Sequence, residues 1–456
     1  MLSEEKNRLL TEVGPDKPMG QYLRRYWHPI AGTSEFDDQA VKPVRILGED
    51  LVLYKDLSGN YGLVDRHCPH RNADMSFGFV EKCGLRCSYH GWQYEASGQC
   101  IHQPFEEVAD PSARMRKNTA IKAYPVQEKA GLLWAYMGPQ PAPLLPDWEL
   151  FHAKNGFAQA VFAEIPCNWF QCQENSIDPV HFEWTHNNWT TRLAGEEGPY
   201  VPTHQKLAFD EFEHGFIYRR LRGSETEDNV MWTTGRVTLW PNGFFLGHHF
   251  EWRVPIDDTH TLSVLWVFSL VPSEQGDYVQ DKIPSWYGPV RDADGRWITS
   301  HVANQDFAVW VGQGPITDRT REKLGQSDKG IVQMRRRFFE DIEAMQAGEE
   351  PKGLIRDPAK NHCVPLPSAC ASEVASGLTR AELDAHPLLG PYLRDFFGQA
   401  GQPRAVTEAY ERAIGQKVRG ATFFKVHGSG AEAAAGQAAT EAAASAAPAM
   451  PAVPGR

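Results

Sequence analysis

Two mixed pairs of side chains could do redox chemistry: Cys68-Pro-His70 and Cys87-Ser-Tyr-His90, separated by sixteen residues. Pro69, Gly84 and Gly91 favour tight loops around them. Two loops that each offer one thiolate and one imidazole can hold a two-iron, two-sulfide cluster, with cysteines on one iron and histidines on the other. Neutral imidazoles in place of thiolates remove negative charge from the ligand set and raise the reduction potential, so such a centre accepts electrons readily. Tetrahedral zinc takes the same donors. Zinc fingers, however, pair cysteine with cysteine and histidine with histidine, and here each pair is mixed. Cys83 and Cys100 fall outside the spacing and read as spare thiols, while His67 reads as a local hydrogen-bonding residue.

A second concentration of chemistry runs from Glu174 and Asn175 through Asp178 and His181 to His186. Asp178 and His181 are three apart and share a face if the segment is helical. His186 follows His181 by five residues, about 140° around an ideal helix. Both imidazoles reach one metal only if the helix ends or widens between them, and π-type widening favours functional sites. Two imidazoles and a carboxylate on one side of an iron leave neighbouring positions open for oxygen and substrate. The carboxylate must come from elsewhere. Asp306 is the favoured candidate, a lone acid in the largely apolar stretch His301 to Trp310, where an unpaired carboxylate is costly to bury. Asp318, in a turn with Pro315 and Arg319, and Asp328, after Ser327 at a helix start, are the rivals with ordinary structural roles.

Stepping outward, residues 3–12 predict a helix opened by Ser3, with Glu4 and Glu5 at its positive end. From Val41 to Trp134 short apolar runs (Val44 to Leu47, Leu51 to Tyr54, Gly62 to Val64, Leu132 to Met137) alternate with turn residues, the texture of a small antiparallel β domain. Gln140 to Pro146 reads as a linker. Beyond it, strands are expected at Gly215 to Arg220, Arg236 to Trp240 and His260 to Val271, and helices at roughly 172–186 and Ser327 to Met345, which together make an α+β domain. Arg335-Arg336-Arg337 reads as the solvated face of that last helix. After Val426 the chain is rich in Ala, Gly and Pro with no means of burying a core, so a disordered tail is expected.

A net charge of −12 argues against nucleic acid. The longest apolar run, Val264 to Val271, is too short to cross a bilayer, and the start of the chain is unlike a signal peptide, so a cytoplasmic protein is expected. No glycine-rich dinucleotide fingerprint follows a strand, which assigns NADH and flavin to a separate reductase. Trp184, Trp189, Trp232, Trp240, Trp252 and Trp266 read mostly as core, with a few free to line an aromatic pocket. Arg219, Arg220, Arg236 and Arg253 lie on strand-like segments, and an inward-facing one could clamp a substrate carboxylate. Arg219 and Arg220 point to opposite faces of a strand, so at most one of them can do so.

These segments, in this order, resemble the oxygenase component of the Rieske non-heme iron oxygenases. Met19 to His28, Asn304 to Trp310, Gly314 to Arg319 and Leu324 to Asp328 are similar to the phthalate dioxygenase branch, and within it to the dehydrodivanillate O-demethylase type. The resemblance covers residue 1 to about 370. It implies an N-terminal antiparallel β Rieske domain and a helix-grip (START-like) catalytic domain: 1–41 a helical segment packing with the catalytic domain, 42–140 the [2Fe-2S] domain, 141–425 the mononuclear iron domain, and 426–456 the tail. It implies cluster ligands Cys68, His70, Cys87 and His90, iron(II) ligands His181, His186 and Asp306, and Asn175 close to the iron. Asp178 matches a carboxylate that links His90 of one subunit to His181 of the next in a homotrimer. The expected activity uses O2 and electrons from a separate reductase (ferredoxin and/or flavin domain), fed by NADH, to O-demethylate a methoxylated, lignin-derived biaryl acid. Ring cis-dihydroxylation of an aromatic carboxylate such as phthalate is the alternative. A Rieske electron-transfer protein or a zinc-binding interaction protein is the distant one.

Overall fold

The computed structural model describes residues 1–188, 192, 202–368, 377–386 and 399–418. Trp189 and the expected tail lie outside them. Helix α1 (Glu4–Thr11) starts where expected, with the Ser3 hydroxyl accepting the Lys6 N–H. Helix α2 (Pro18–Leu23) follows, and then strand β1 (Trp27–Gly32), in a stretch that the sequence reading makes helical. Every residue of β1 is buried, and it pairs with β11 (Leu132–Tyr136), itself paired with β10 (Val126–Lys129).

Two four-stranded antiparallel sheets fill the interval. One orders β2 (Val41–Ile46), β3 (Glu49–Lys55), β4 (Tyr61–Asp65) and β9 (Ala123–Tyr124). The other orders β5 (Phe79–Val80), β6 (Leu85–Arg86), β7 (Gln93–Tyr94) and β8 (Cys100–His102). They share a small core of their own, with Val52, Tyr54, Val64, Leu85 and Tyr94 around Cys68 and Cys87.

The remainder is built on one eight-stranded sheet in the order β13 (His204–Phe212), β14 (Gly215–Arg222), β15 (Arg236–Leu239), β16 (Gly243–Phe245), β17 (His249–Pro255), β18 (Thr261–Leu270), β12 (Gly156–Ile165), β19 (Ser285–Tyr287). All neighbours are antiparallel except β12 and β19. β18 is buried on both faces along its ten residues, which explains its unbroken apolar run. Along β17 the period of two sorts His249, Glu251 and Arg253 to one face and Phe250, Trp252 and Val254 to the other. The second set joins Trp134, Trp148, Phe151 and Trp266 in the main core, which also takes in Leu10, Val13 and Tyr22 of the N-terminal segment. Helices α3 (Trp169–Asn175), α4 (Val302–Gly312) and α5 (Lys329–Gln346) pack with the sheet. Phe338 of α5 lies 4.0 Å from the ring of Trp240 and edge-on to Trp169 and Phe170. The fold is α+β, and no helix of the described residues is long and apolar enough to cross a membrane.

The arginine trio is not a solvated face. Arg336 is exposed, but Arg335 and Arg337 are buried. Arg335 reaches Glu322 and Glu174, and Arg337 donates to the carbonyls of Phe212 and Gly215. A run of like charge placed one residue apart around a helix cannot share one face.

Candidate functional site

The two cysteine–histidine loops have matching backbones. The Cys68 N–H donates to the Ala73 carbonyl at 2.9 Å and the Asn72 N–H to the Cys68 carbonyl at 2.8 Å. In the second loop Cys87 N–H donates to Trp92 at 2.8 Å and Gly91 N–H to Cys87 at 3.0 Å. Gly84, at φ +79°, closes the hairpin before Cys87, and a Cβ there would stand 2.0 Å from the Tyr94 carbonyl. The loops bury both thiols and bring the two histidine rings to 4.5 Å between centroids at the surface side. Trp92 stacks on His70 at 4.2 Å, and the Tyr94 hydroxyl lies 3.4 Å from Cys68 Sγ. Contact with Cys68, working against burial, and the N–H groups of Tyr89 and His90 pull the Cys87 thiol down. His70 Nδ1 is buried with no hydrogen-bond partner. Two thiols inside, two imidazoles outside and an orphaned ring nitrogen fit a mixed-ligand diiron cluster. Cys83 is exposed, and the buried Cys100 directs its thiol to the His102 carbonyl. The His67 N–H donates to Asp65 at 2.7 Å.

The second site begins where α3 ends. The segment 172–186 is not one helix: Pro179 offers no N–H and disfavours helical backbone at Asp178, so α3 stops at Asn175. The chain restarts as a π-helix over Phe182–Asn188. That widened turn lets His181 and His186 face the same point despite their spacing of five. Their Nε2 atoms lie 3.7 Å and 3.3 Å from Asp306 Oδ1, which α4 delivers. Ligand atoms of these three residues all fall within 4.8 Å of one another. Each histidine has its other nitrogen occupied: His181 Nδ1 donates to the Asp178 carbonyl at 2.5 Å, and His186 Nδ1 to Gln305 Oε1 at 2.9 Å. Both Nε2 lone pairs are therefore free for a metal, the tautomer that imidazole ligands require. Burial pushes His181 down, whereas at His186 the Asp306 carboxylate outweighs burial and raises it. Asn175 Nδ2 donates to Asp306 Oδ1 at 3.3 Å.

The two rival acids stand elsewhere. Asp318 accepts the N–H and hydroxyl of Thr320, and Asp328 accepts the Gly325 N–H. Asp178 uses Oδ1 to accept the N–H groups of Val180 and His181, so it caps the turn and meets the His181 ring through its carbonyl. Among the described residues no contact within the chain joins Asp178 to His90.

Three residues here have roles that the sequence reading does not assign, although Glu174 stands within its second concentration of chemistry. Gln305 sets His186. Glu183, 2% exposed, accepts the N–H and hydroxyl of Thr203 and both the N–H and Nδ1 of His204, tying the π-helix to the start of β13. Glu174 joins α3 to Arg319 and Arg335 through buried ion pairs. Only the adjacency of Gln305 to Asp306 and of Glu183 to the histidines could have drawn attention to them.

Residues 26–125 match the Rieske [2Fe-2S] domain, and residues 252–365 match the family described as LigXa C-terminal domain like. The chain is 58% identical to the 5,5'-dehydrodivanillate O-demethylase oxygenase subunit of Sphingobium sp. (strain NBRC 103272 / SYK-6), over 91% of this chain and 97% of that one. It is 33% identical to the phthalate 4,5-dioxygenase oxygenase subunit of Pseudomonas putida, over 77% of this chain and 89% of the relative. A solved structure, NdmA of Pseudomonas putida CBB5 with caffeine, is 20% identical with a TM-score of 0.49, covering 73% of this chain and 94% of that one.

Proposed function

The chain belongs to the oxygenase subunits of the Rieske non-heme iron oxygenases, and on that premise we propose that it O-demethylates a methoxylated, lignin-derived biaryl acid of the dehydrodivanillate type. The observation that carries the oxygenase chemistry is the convergence of His181, His186 and Asp306 in a chain that also presents the Cys68, His70, Cys87, His90 centre. The cluster when bound supplies electrons, and the mononuclear iron supplies dioxygen activation. Every other role falls to the chain. His181, His186 and Asp306 hold the iron; the Asp178 carbonyl and Gln305 keep the imidazoles oriented; Asn175 holds the Asp306 carboxylate.

The reaction consumes O2, two electrons and two protons. One oxygen atom leaves as water and the other enters the methyl C–H bond. The resulting hemiacetal separates into formaldehyde and a phenol. NADH delivers the electrons through a separate reductase. Asp178 Oδ2 takes no hydrogen bond within the chain among the described residues, which leaves it for His90 of a neighbouring copy in a homotrimer. Residues 42–140 then form the cluster domain and 141–425 the iron domain. The seven cysteines of the described residues are all free, which suits the reducing cytoplasm.

The test is a panel of methoxylated and unmethoxylated aromatic acids with reduced enzyme and O2. Formaldehyde from dehydrodivanillate supports the proposal. A dihydrodiol from phthalate without formaldehyde would favour ring dihydroxylation, the reading that the likeness to phthalate 4,5-dioxygenase supports. A colourless protein containing zinc would end both.

A further inference from the structure

Five arginines stand on the strands of the large sheet, and four have their charge or donors engaged, Arg222 by Glu225 at 3.9 Å. Arg219 donates to Asp210 at 2.9 Å and to the Trp232 carbonyl, and Arg253 donates to Glu251 at 2.6 Å. Arg236 reaches the Tyr218 hydroxyl. Arg220 differs. It is 2% exposed and its Nε and Nη1 meet no acceptor, as is also true of Arg253, but unlike Arg253, which has Glu251, it has no carboxylate within ion-pair reach among the described residues.

Its position is specific. The guanidinium carbon lies 4.7 Å from the centre of the Phe182 ring, and Arg236 and Arg222 stand 5.4 Å and 6.0 Å from the same ring. Phe182 directly follows His181 and packs edge-on against His186 at 5.2 Å. One aromatic ring is therefore shared by three cations and the His186 imidazole. Of nearby acids, Glu225 is 3.9 Å from Arg222, and Glu183 is filled by Thr203 and His204. Burial first, then the like charge of Arg236, pushes Arg220 down to about 9, which leaves it charged at neutral pH. A buried cation with unused N–H groups is costly to keep. In a chain of net charge −12, a carboxylate opposite it would have removed that cost.

We propose that Arg220, flanked by Arg236, is the subsite that takes a carboxylate of the aromatic substrate, with Phe182 setting the distance between that anchor and the reacting carbon. The proposal rests on the aromatic-acid reading above and adds the residue that recognises the acid. Two charge-assisted hydrogen bonds would satisfy the free donors, and an uncharged substrate could not. The opposite-facing Arg219 takes no part.

Calorimetry on the anaerobic, iron-loaded enzyme tests this without turnover. The probes are dehydrodivanillate, phthalate and the amide of each. Arg220→Gln should weaken the acids by roughly tenfold or more, the loss of charged hydrogen bonds, and move the amides less than about threefold. Arg220→Lys should recover part of the affinity for acids. Unchanged cluster absorption and iron content show that both variants are folded. Equal weakening of acids and amides, no weakening of either, or a wild-type protein indifferent between acid and amide would each overturn the subsite. Selective loss with phthalate, alongside no formaldehyde from dehydrodivanillate, would retain the subsite and sink the O-demethylation reading.

Discussion

Asp306 Oδ1 sits between two imidazole nitrogens, 3.3 Å from His186 and 3.7 Å from His181, and little else in the chain depends on it. Asp306→Ala should therefore act on metal content before it acts on folding. Iron should fall from about three to about two per chain while the cluster spectrum stays intact. Full retention of iron in that variant would point to another carboxylate. Gln305 acts one bond further out. Gln305→Leu leaves His186 Nδ1 without its acceptor, and mononuclear iron affinity should drop roughly ten- to a hundredfold, as measured by iron titration of apoprotein. These neighbours show what a sequence discloses at this scale. A lone acid within an apolar run is conspicuous because burying it unpaired is costly. An amide beside it is not, because its role depends on what it faces once the helix is placed.

At the scale of elements, the spacing of His181 and His186 is awkward on an α-helix, and that awkwardness was legible as a demand for a break or a widening. The structure has the widening, a π-helix from Phe182, while the end of the preceding helix at Asn175 comes before both histidines. What holds the widened turn was not legible, because Glu183 finds its partners in Thr203 and His204, across a connection whose course no local pattern discloses. Glu183→Ala should free the turn, lower mononuclear iron occupancy and leave cluster absorbance unchanged; Glu183→Gln, keeping some hydrogen bonds, should lose less. Equal iron in all three proteins would mean that the π-helix holds itself. Glu174 fastens the other side of the break. Removing it leaves Arg319 and Arg335, both buried, without their shared partner, although Arg335 retains Glu322. Glu174→Ala should cost about 3–5 kcal/mol of stability, read by denaturant unfolding. The same ion pairs explain why the arginine trio misleads: charge on a helix reads as solvated unless the acids that meet it, here from distant segments, are known.

Across the whole molecule, the proposed electron path runs from the cluster of one chain to the iron of the next. The cluster thiols Cys68 and Cys87 lie in a small core of their own, and among the described residues no contact joins His90 to Asp178 and Asp178 Oδ2 has no partner. If a second copy closes that gap, two inactive variants should rescue each other. Asp306→Ala keeps the cluster and loses the iron; Cys68→Ser loses the cluster and keeps the iron. Each alone should be nearly inactive. Subunits exchanged at random in a cyclic trimer place an iron-bearing copy beside a cluster-bearing donor at about a quarter of positions, because both conditions must hold and each holds half the time. The mixed assembly should recover about that fraction of wild-type formaldehyde release. A doubly substituted chain, Cys68→Ser with Asp306→Ala, mixed with wild type should instead lose activity as the product of the two probabilities. No rescue in the first mixture, with exchange verified by mass, would place the electron path inside a single chain. Adding Asp178→Asn to the iron-bearing partner should remove the rescue while leaving both metal contents unchanged, since only the link between the two centres is cut.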